Sequence, residues 1–280
     1  MPDLQTRIIG GAPEGFDARL ILDEAARSGG PVLHVATYKA RNLNRVIGAI
    51  NGTGYGLTFG LMTRIDERVQ QITESIEAGN IYVNRNQIGA IVGSQPFGGE
   101  GLSGTGPKAG GPLYLDRFRA HPAPDTPGDD TDTSVKDLAK RLAEAAQSDP
   151  APSRIELPGP TGEANVLHQH ARPPLICLGP GQAAAEAQAQ AIRALGGRAA
   201  VAPGLSPEAL QDTQAIAGAL WWGDADRARA YRQALADRPG PILTLITGSP
   251  DTGHARAERH VCVDTTAAGG NAALLAGQEG

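Results

Sequence analysis

The stretch IYVNRNQIGAIVGSQPFGGEGLSGTGPKAGGP, residues 81–112, decides how this chain is read. It opens on a short apolar run of strand type, Ile81 to Val83, then abandons periodicity for a loop dense in glycine. Glycine tolerates positive φ and lets a backbone come close to a neighbour, so such a loop can aim main-chain N–H groups at an anion. A single aromatic, Phe97, can form an apolar wall. On these grounds alone the stretch is either a binding loop or a plain glycine-rich connection between two strands.

Upstream of it the pattern is regular. Val32 to Tyr38 alternates as a strand, and Leu43, Val46, Ile47 and Ile50 fall at helical spacing until Gly52 and Gly54. Leu57 to Met62 reads as a strand, and Thr63-x-x-Asp66 as a capping box. Ile65, Val69, Ile72 and Ile76 form a helical stripe that Gly79 closes, Asn80 to Asn84 is a strand, and Leu113 to Phe118 another. The order β-α-β-α-β predicts an α/β segment.

Downstream, residues 119–133 are rich in proline and aspartate and read as a linker, with Asp129, Asp130 and Asp132 solvated. Ser134-x-x-Asp137 opens a helix with Val135, Leu138 and Leu142 on one face, and a second proline-rich stretch runs over 149–160. Strands are predicted at Leu175–Leu178, Ala199–Ala202, Ala219–Trp222, Ile242–Ile246 and His260–Asp264. Helices between them cover Gln182–Leu195, Pro207–Ile216 and Asp224–Leu235, the last with Asp224 as N-cap. This alternation predicts a small parallel sheet of Rossmann type.

The chain has 280 residues, 40% apolar and 20% charged, with 25 basic against 30 acidic side chains. No basic stripe suggests nucleic acid, no apolar run approaches the roughly 20 residues of a membrane span, and the N-terminus has no signal pattern. A cytoplasmic chain is expected. Cys177 and Cys262 sit in apolar runs, as buried reduced thiols do. His168-x-His170 lacks further ligands at metal spacing, and Gly179-Pro-Gly181 reads as a β-α turn rather than a dinucleotide loop. Trp221 and Trp222 are expected to pack, and no metal site is expected.

The residues of the opening stretch resemble the end of the aldehyde dehydrogenase catalytic domain. Gly89-Ala90 ahead of Val92-Gly-Ser-Gln-Pro-Phe-Gly-Gly99, then Ser103-Gly-Thr105, is similar to L-glutamate-γ-semialdehyde (Δ1-pyrroline-5-carboxylate) dehydrogenases. The likeness extends over residues 31–118, including Thr53-Gly-Tyr-Gly-Leu-Thr-Phe-Gly-Leu61. It implies NAD-dependent oxidation of glutamate semialdehyde to glutamate. Gly89 and Ala90 would lie in the loop that holds the substrate's α-carboxylate, with Phe97 beside its aliphatic part. The segments Leu157-Pro-Gly-Pro-Thr-Gly-Glu-Ala-Asn165 and Thr265 to Leu275 resemble the C-terminal domain of long proline utilization A proteins.

The resemblance also implies groups with no counterpart here: a Cys nucleophile, a Glu base and an NAD-binding domain, all upstream in relatives. Where the family carries Glu-x-Phe-Gly-Pro, this chain has Arg27-Ser28-Gly29-Gly30-Pro31. An edge of that kind is what a frameshift or mis-called start leaves. The expected organisation is an unmatched segment at 1–30, an aldehyde dehydrogenase segment at 31–118, a linker with one helix at 119–171, and a Rossmann-like domain with a tail at 172–280. The chain alone is expected to bind no NAD and to be inactive. It is read either as part of the dehydrogenase or as a non-catalytic structural or docking module covering the dehydrogenase or channel surface of a partner chain, with a dehydrogenase chain or a second copy as the expected protein partner. The tail, Ala267 to Leu275, is expected to pack on residues 31–118.

Overall fold

The computed structural model describes residues 7–9, 34–36, 38–125 and 135–266. The acidic run at 129–132 and the tail from 267 lie outside them, so the expected docking of that tail does too.

Strand β1 (Arg7–Ile9) pairs in parallel with β2 (His34–Ala36). Then come α1 (Leu43–Asn51), β3 (Tyr55–Gly56), β4 (Thr58–Leu61), α2 (Asp66–Ser75) and β5 (Asn80–Val83). The stripes seen in sequence meet here: Ile47 of α1, Val69 and Ile72 of α2, and Ile76 pack with Ala78, Ile81 and Val83. Ile65, counted in that stripe, is instead half exposed as the N-cap of α2. Ile65 rather than Thr63 is the helix's N-cap, with no side-chain cap bond, and Thr63 Oγ1 accepts the Ile65 N–H at 3.2 Å ahead of the helix.

The glycine-rich stretch folds back through β6 (Glu100–Gly101), which pairs antiparallel with β3. A strand predicted over Leu113 to Phe118 is replaced by a 3-10 turn at Leu115–Phe118. Bonds from Tyr114 N to Gly111 O and from Arg117 N to Tyr114 O wind the chain after Gly110-Gly111-Pro112. Leu115 and Phe118 consequently stay exposed instead of entering a sheet.

Helix α3 (Val135–Gln147) precedes a hairpin of β7 (Ser153–Leu157) and β8 (Glu163–Ala171), turned at Gly162 with φ +86°. This hairpin occupies what read as a proline-rich linker. The predicted alternation follows: β9 (Leu175–Cys177), α4 (Gly181–Ala194), β10 (Ala199–Val201), α5 (Pro207–Asp212), β11 (Gly218–Leu220), α6 (Ala225–Ala236) and β12 (Thr244–Ile246). These strands form an all-parallel sheet in the order β10-β9-β11-β12, the Rossmann-like unit that was expected. Helix α5 stops at Asp212, four residues short of the reading, and Ala215 takes φ +55°. Asp224 caps α6 through the Arg227 N–H at 2.8 Å, as predicted. Trp221 and Tyr231 meet edge to face in this unit's core.

After α7 (Thr252–Ala255), the chain ends its described course in β13 (Arg256–Asp264). This strand was read as one of the small parallel set. It lies instead in a second sheet, ordered β4-β5-β13-β8-β7, parallel to β5 over His260–Val263 and antiparallel to β8 along its whole length. The reason is its buried polar face, Arg256, Glu258 and His260. Buried charge and imidazole need partners. β8 and the glycine-rich stretch supply them, whereas the small sheet offers apolar neighbours.

Candidate functional site

Gly89 and Ala90 stand on the exposed part of the loop. Gly89 has φ +80°, and a Cβ built there would meet nothing within 4 Å. The glycine therefore serves backbone conformation and not close packing. Around it Ile88, Ile91 and Val92 are exposed apolar side chains, at 74%, 52% and 84%. Phe97 is half-buried, and its N–H and C=O pair with Ala109 at 3.0 and 2.9 Å.

Beneath the loop lies a buried polar network that no sequence pattern had marked. Asn80 of β5 donates from Nδ2 to Pro96 O at 2.8 Å, and its Oδ1 accepts from Gly98 N at 3.1 Å, clasping the backbone on both sides of Phe97. Lys108 donates from Nζ to Gly98 O and to Asn80 Oδ1, and its backbone N–H bonds Glu258 Oε2 at 2.9 Å. Burial draws the Lys108 ammonium down to about 8, against the pull of the Glu100 and Glu258 carboxylates. Burial likewise raises Glu258, restrained by the Lys108 N–H.

A second group surrounds Glu163 of β8. Its carboxylate pairs with Arg85 and accepts from Gln95 Nε2 at 2.6 Å and Asn165 Nδ2 at 2.8 Å. Asn165 Oδ1 lies 3.1 Å from His260 Nε2. Burial, reinforced by the Lys108 charge, lowers His260 to about 4, so at neutral pH the neutral ring donates from Nε2. Arg85 and Gln95 both point donors at Cys262 Sγ, 3.3 and 3.7 Å away. Burial nevertheless pushes the Cys262 thiol up to about 11, and Cys177 up to about 12. Both cysteines are buried and free, as expected from sequence. A thiol held protonated at neutral pH is a poor nucleophile.

The other sequence candidates resolve as follows. His168 and His170 sit on β8 and not in a loop, and no group of three or more metal-ligating side chains occurs among the described residues. The turn at Gly179 is closed by its own chain: the buried Gln188 side chain accepts from Gly179 N at 3.0 Å and donates to Gly179 O at 2.7 Å. The Gly179 N–H, one of the donors such a loop could offer, is thereby already taken. Glu163 and Asn165 lay within the quoted Leu157–Asn165 motif, and Arg85 and Gln95 within the opening stretch. Their partnership requires β8 and β5 to flank β13, which no local signal reveals.

Comparison with known proteins agrees with the resemblance read from sequence. Residues 27–120 match the model of the aldehyde dehydrogenase family, beginning four residues earlier than the motifs suggested. Bifunctional protein PutA of Rhizobium meliloti is 41% identical over 289 residues, which takes in 88% of this chain and 24% of that protein. The 1-pyrroline-5-carboxylate dehydrogenase of Bacillus subtilis (strain 168) is 46% identical over 99 residues, 35% of this chain and 18% of the relative. The solved structure of proline utilization A from Corynebacterium freiburgense superposes with a TM-score of 0.53 at 23% identity, over 84% of this chain and 25% of that one, a likeness of fold. The chain thus spans about a quarter of the length of the PutA proteins it matches. Over residues 27–120 the chain is thus similar to the aldehyde dehydrogenase family, and across 88% of its length it is similar to PutA proteins.

Proposed function

We propose that this chain supplies the substrate-carboxylate loop, and the sheet that supports it, to an NAD-dependent dehydrogenase oxidising L-glutamate-γ-semialdehyde to glutamate. The observation that carries this is the loop itself. Gly89 and Ala90 are exposed, Gly89 with positive φ, while Asn80, Lys108 and Gln95 fix the segment that follows. Main-chain N–H groups so displayed can receive a carboxylate without a cationic side chain. Phe97 would face the aliphatic part of the aldehyde.

Neither cysteine of the chain is set up to attack an aldehyde, since burial keeps both thiols protonated. The chain is therefore read as a non-catalytic contributor. The nucleophile, base and NAD would belong to a dehydrogenase surface packed on Ile88, Ile91 and Val92, in the same polypeptide, a second copy or a partner. The exposed apolar side chains around Gly89 favour such a covering surface.

Two assays test this. The purified chain, given the semialdehyde and NAD, is expected to form no NADH above a no-protein control. NADH formation abolished by thiol alkylation would overturn the non-catalytic reading. Exchanged for the matching quarter of the Rhizobium meliloti PutA protein, the chain is expected to support turnover. In that exchange Gly89→Val, which meets no clash but strains the positive φ, should raise KM about tenfold, or about 1.4 kcal/mol, with kcat little changed. An unchanged KM would overturn the carboxylate assignment.

A further inference from the structure

The loop at 86–95 is not held by its own burial. Residues 86–93 are all exposed, and only Gln95 is buried among its last residues. Something else must keep Gly89 and Ala90 in one conformation. The two ends of the loop lead to the same carboxylate. At its start, Arg85 pairs with Glu163 and directs Nη2 toward Ile88 O at 3.4 Å and Nε toward Asn86 O at 3.4 Å. Near its end, the Gln95 side chain bonds Glu163 at 2.6 Å while its N–H bonds Ile91 O at 2.7 Å.

A carboxylate offers about four lone-pair directions, enough for Arg85, Gln95 and Asn165 together. The Arg85–Glu163 pair is mostly shielded from water, with side-chain exposures of 17% and 14%, so it is not the weak pair of an open surface. The guanidinium also stacks over the Tyr82 ring at 5.4 Å, which fixes its direction. Glu163 itself is anchored at the first residue of β8, opposite Asp264 of β13.

We propose that Glu163 is a positioning residue for the substrate loop, gripping both of its ends from a strand of the second half of the chain. It touches no substrate. It pre-organises the exposed backbone between Ile88 and Ile91, so that ordering the loop is not left to the moment of binding. The relevance to substrate rests on the carboxylate reading proposed above, whereas the grip does not.

The test uses the full 280-residue chain, ¹⁵N order parameters for amides 86–95, and L-glutamate as the probe ligand. In Glu163→Ala the order parameters of 88–91 are expected to fall from rigid values to below about 0.6, with those of β9 and β11 unchanged. Glu163→Gln keeps an acceptor for Gln95 but loses the ion pair. It should loosen Ile88 and Gly89 while leaving Gly93 and Gln95 ordered, a split that a merely structural residue would not produce. L-glutamate affinity should weaken about tenfold in Glu163→Ala. An unchanged loop in Glu163→Ala, or loosening spread evenly over β5 and β13, would overturn the grip. Loosened amides in the variant, with no response to L-glutamate even in the parent chain, would uphold the grip and overturn the carboxylate reading.

Discussion

The two sheets of this molecule are built on opposite plans. The four-stranded sheet takes every strand from residues 175–246, with β9 joined to β10 and β11 to β12 as neighbours and the β10–β11 connection crossing over β9, and its central strands are uniformly buried and apolar. The five-stranded sheet takes β4 and β5 from the segment that matches the aldehyde dehydrogenase family, β8 and β7 from beyond residue 150, and closes on β13. Its inner faces carry Asn80, Asn165, Gln169, Glu258 and His260. Local, apolar sheets are held by hydrophobic burial. A sheet assembled from distant strands with polar faces depends on every partner arriving, because an unpaired buried group costs more than its bond contributes. The exposed loop proposed as the functional element is mounted on the second kind.

The largest effect expected from this contrast is a break at β13. Val261 pairs with Ile81 on one side and Val166 on the other, so Val261→Pro removes ladder bonding in a central strand. A loss of about 3 kcal/mol or more is expected in the five-stranded sheet. Hydrogen exchange should show β9 and β11 still protected under conditions where β5 and β8 have opened. Simultaneous opening of both sheets would mean that they form one cooperative unit.

A smaller effect concerns acid. His260 and His170 are lowered to about 4, in each case chiefly by burial and further by cations, Lys108 for the first and Arg259 for the second. As pH falls from 6.5, the unfolded chain binds protons that the folded chain refuses. Stability present above pH 6.5 is therefore lost progressively down to about pH 4, by up to about 3 kcal/mol for each group. Glu100 and Glu258, raised by burial, work in the opposite direction. The double variant His170→Gln/His260→Gln isolates the histidine contribution and should flatten the slope between pH 6.5 and 4. No histidine occurs between residues 172 and 250, so protection of β9 and β11 should show no such histidine-driven decline. A matching slope in both sheets would remove the distinction.

The smallest effect is local to the other sheet. Asp224→Ala deletes the cap on α6 and should cost about 1 kcal/mol, read as a shift in the urea midpoint. Exchange at β5 and β13 should be unaffected. Loss of protection there would show that the small unit supports the large one.

Most of the four-stranded sheet was legible in the sequence because its physics is local. Strand, turn, helix and cap each leave a mark within a few residues, and Asp224 with the Ala-rich α4 are examples. The segment that matches the aldehyde dehydrogenase family was legible in its helical stripes and in its motif. The hairpin β7–β8 was hidden for a different reason. Along β8 the buried face is Asn165, Leu167, Gln169 and Ala171, while Val166 shares the outer face with His168 and His170. Mixing polar and apolar residues on both faces erases the period-two signal on which a strand is recognised. Prolines at 150, 152, 158 and 160 then suggested a linker. Gly89, Ala90 and Phe97, proposed for the substrate loop, could be named from the motif, but Glu163 could not, since the grip proposed for it exists only once β8 lies near the end of β5.

The pairing of β13 with β5 also has a consequence for synthesis. His260 registers with Asn80, so the partner of β5 is made only after most of the intervening chain. At typical rates of elongation, β5 waits roughly ten seconds or longer with one hydrogen-bonding edge open, while the four-stranded sheet can fold behind it. During that interval the nascent chain offers a strand edge to any neighbour on the same message. Translation halted anywhere between Val83 and Arg256 would make that vulnerability permanent.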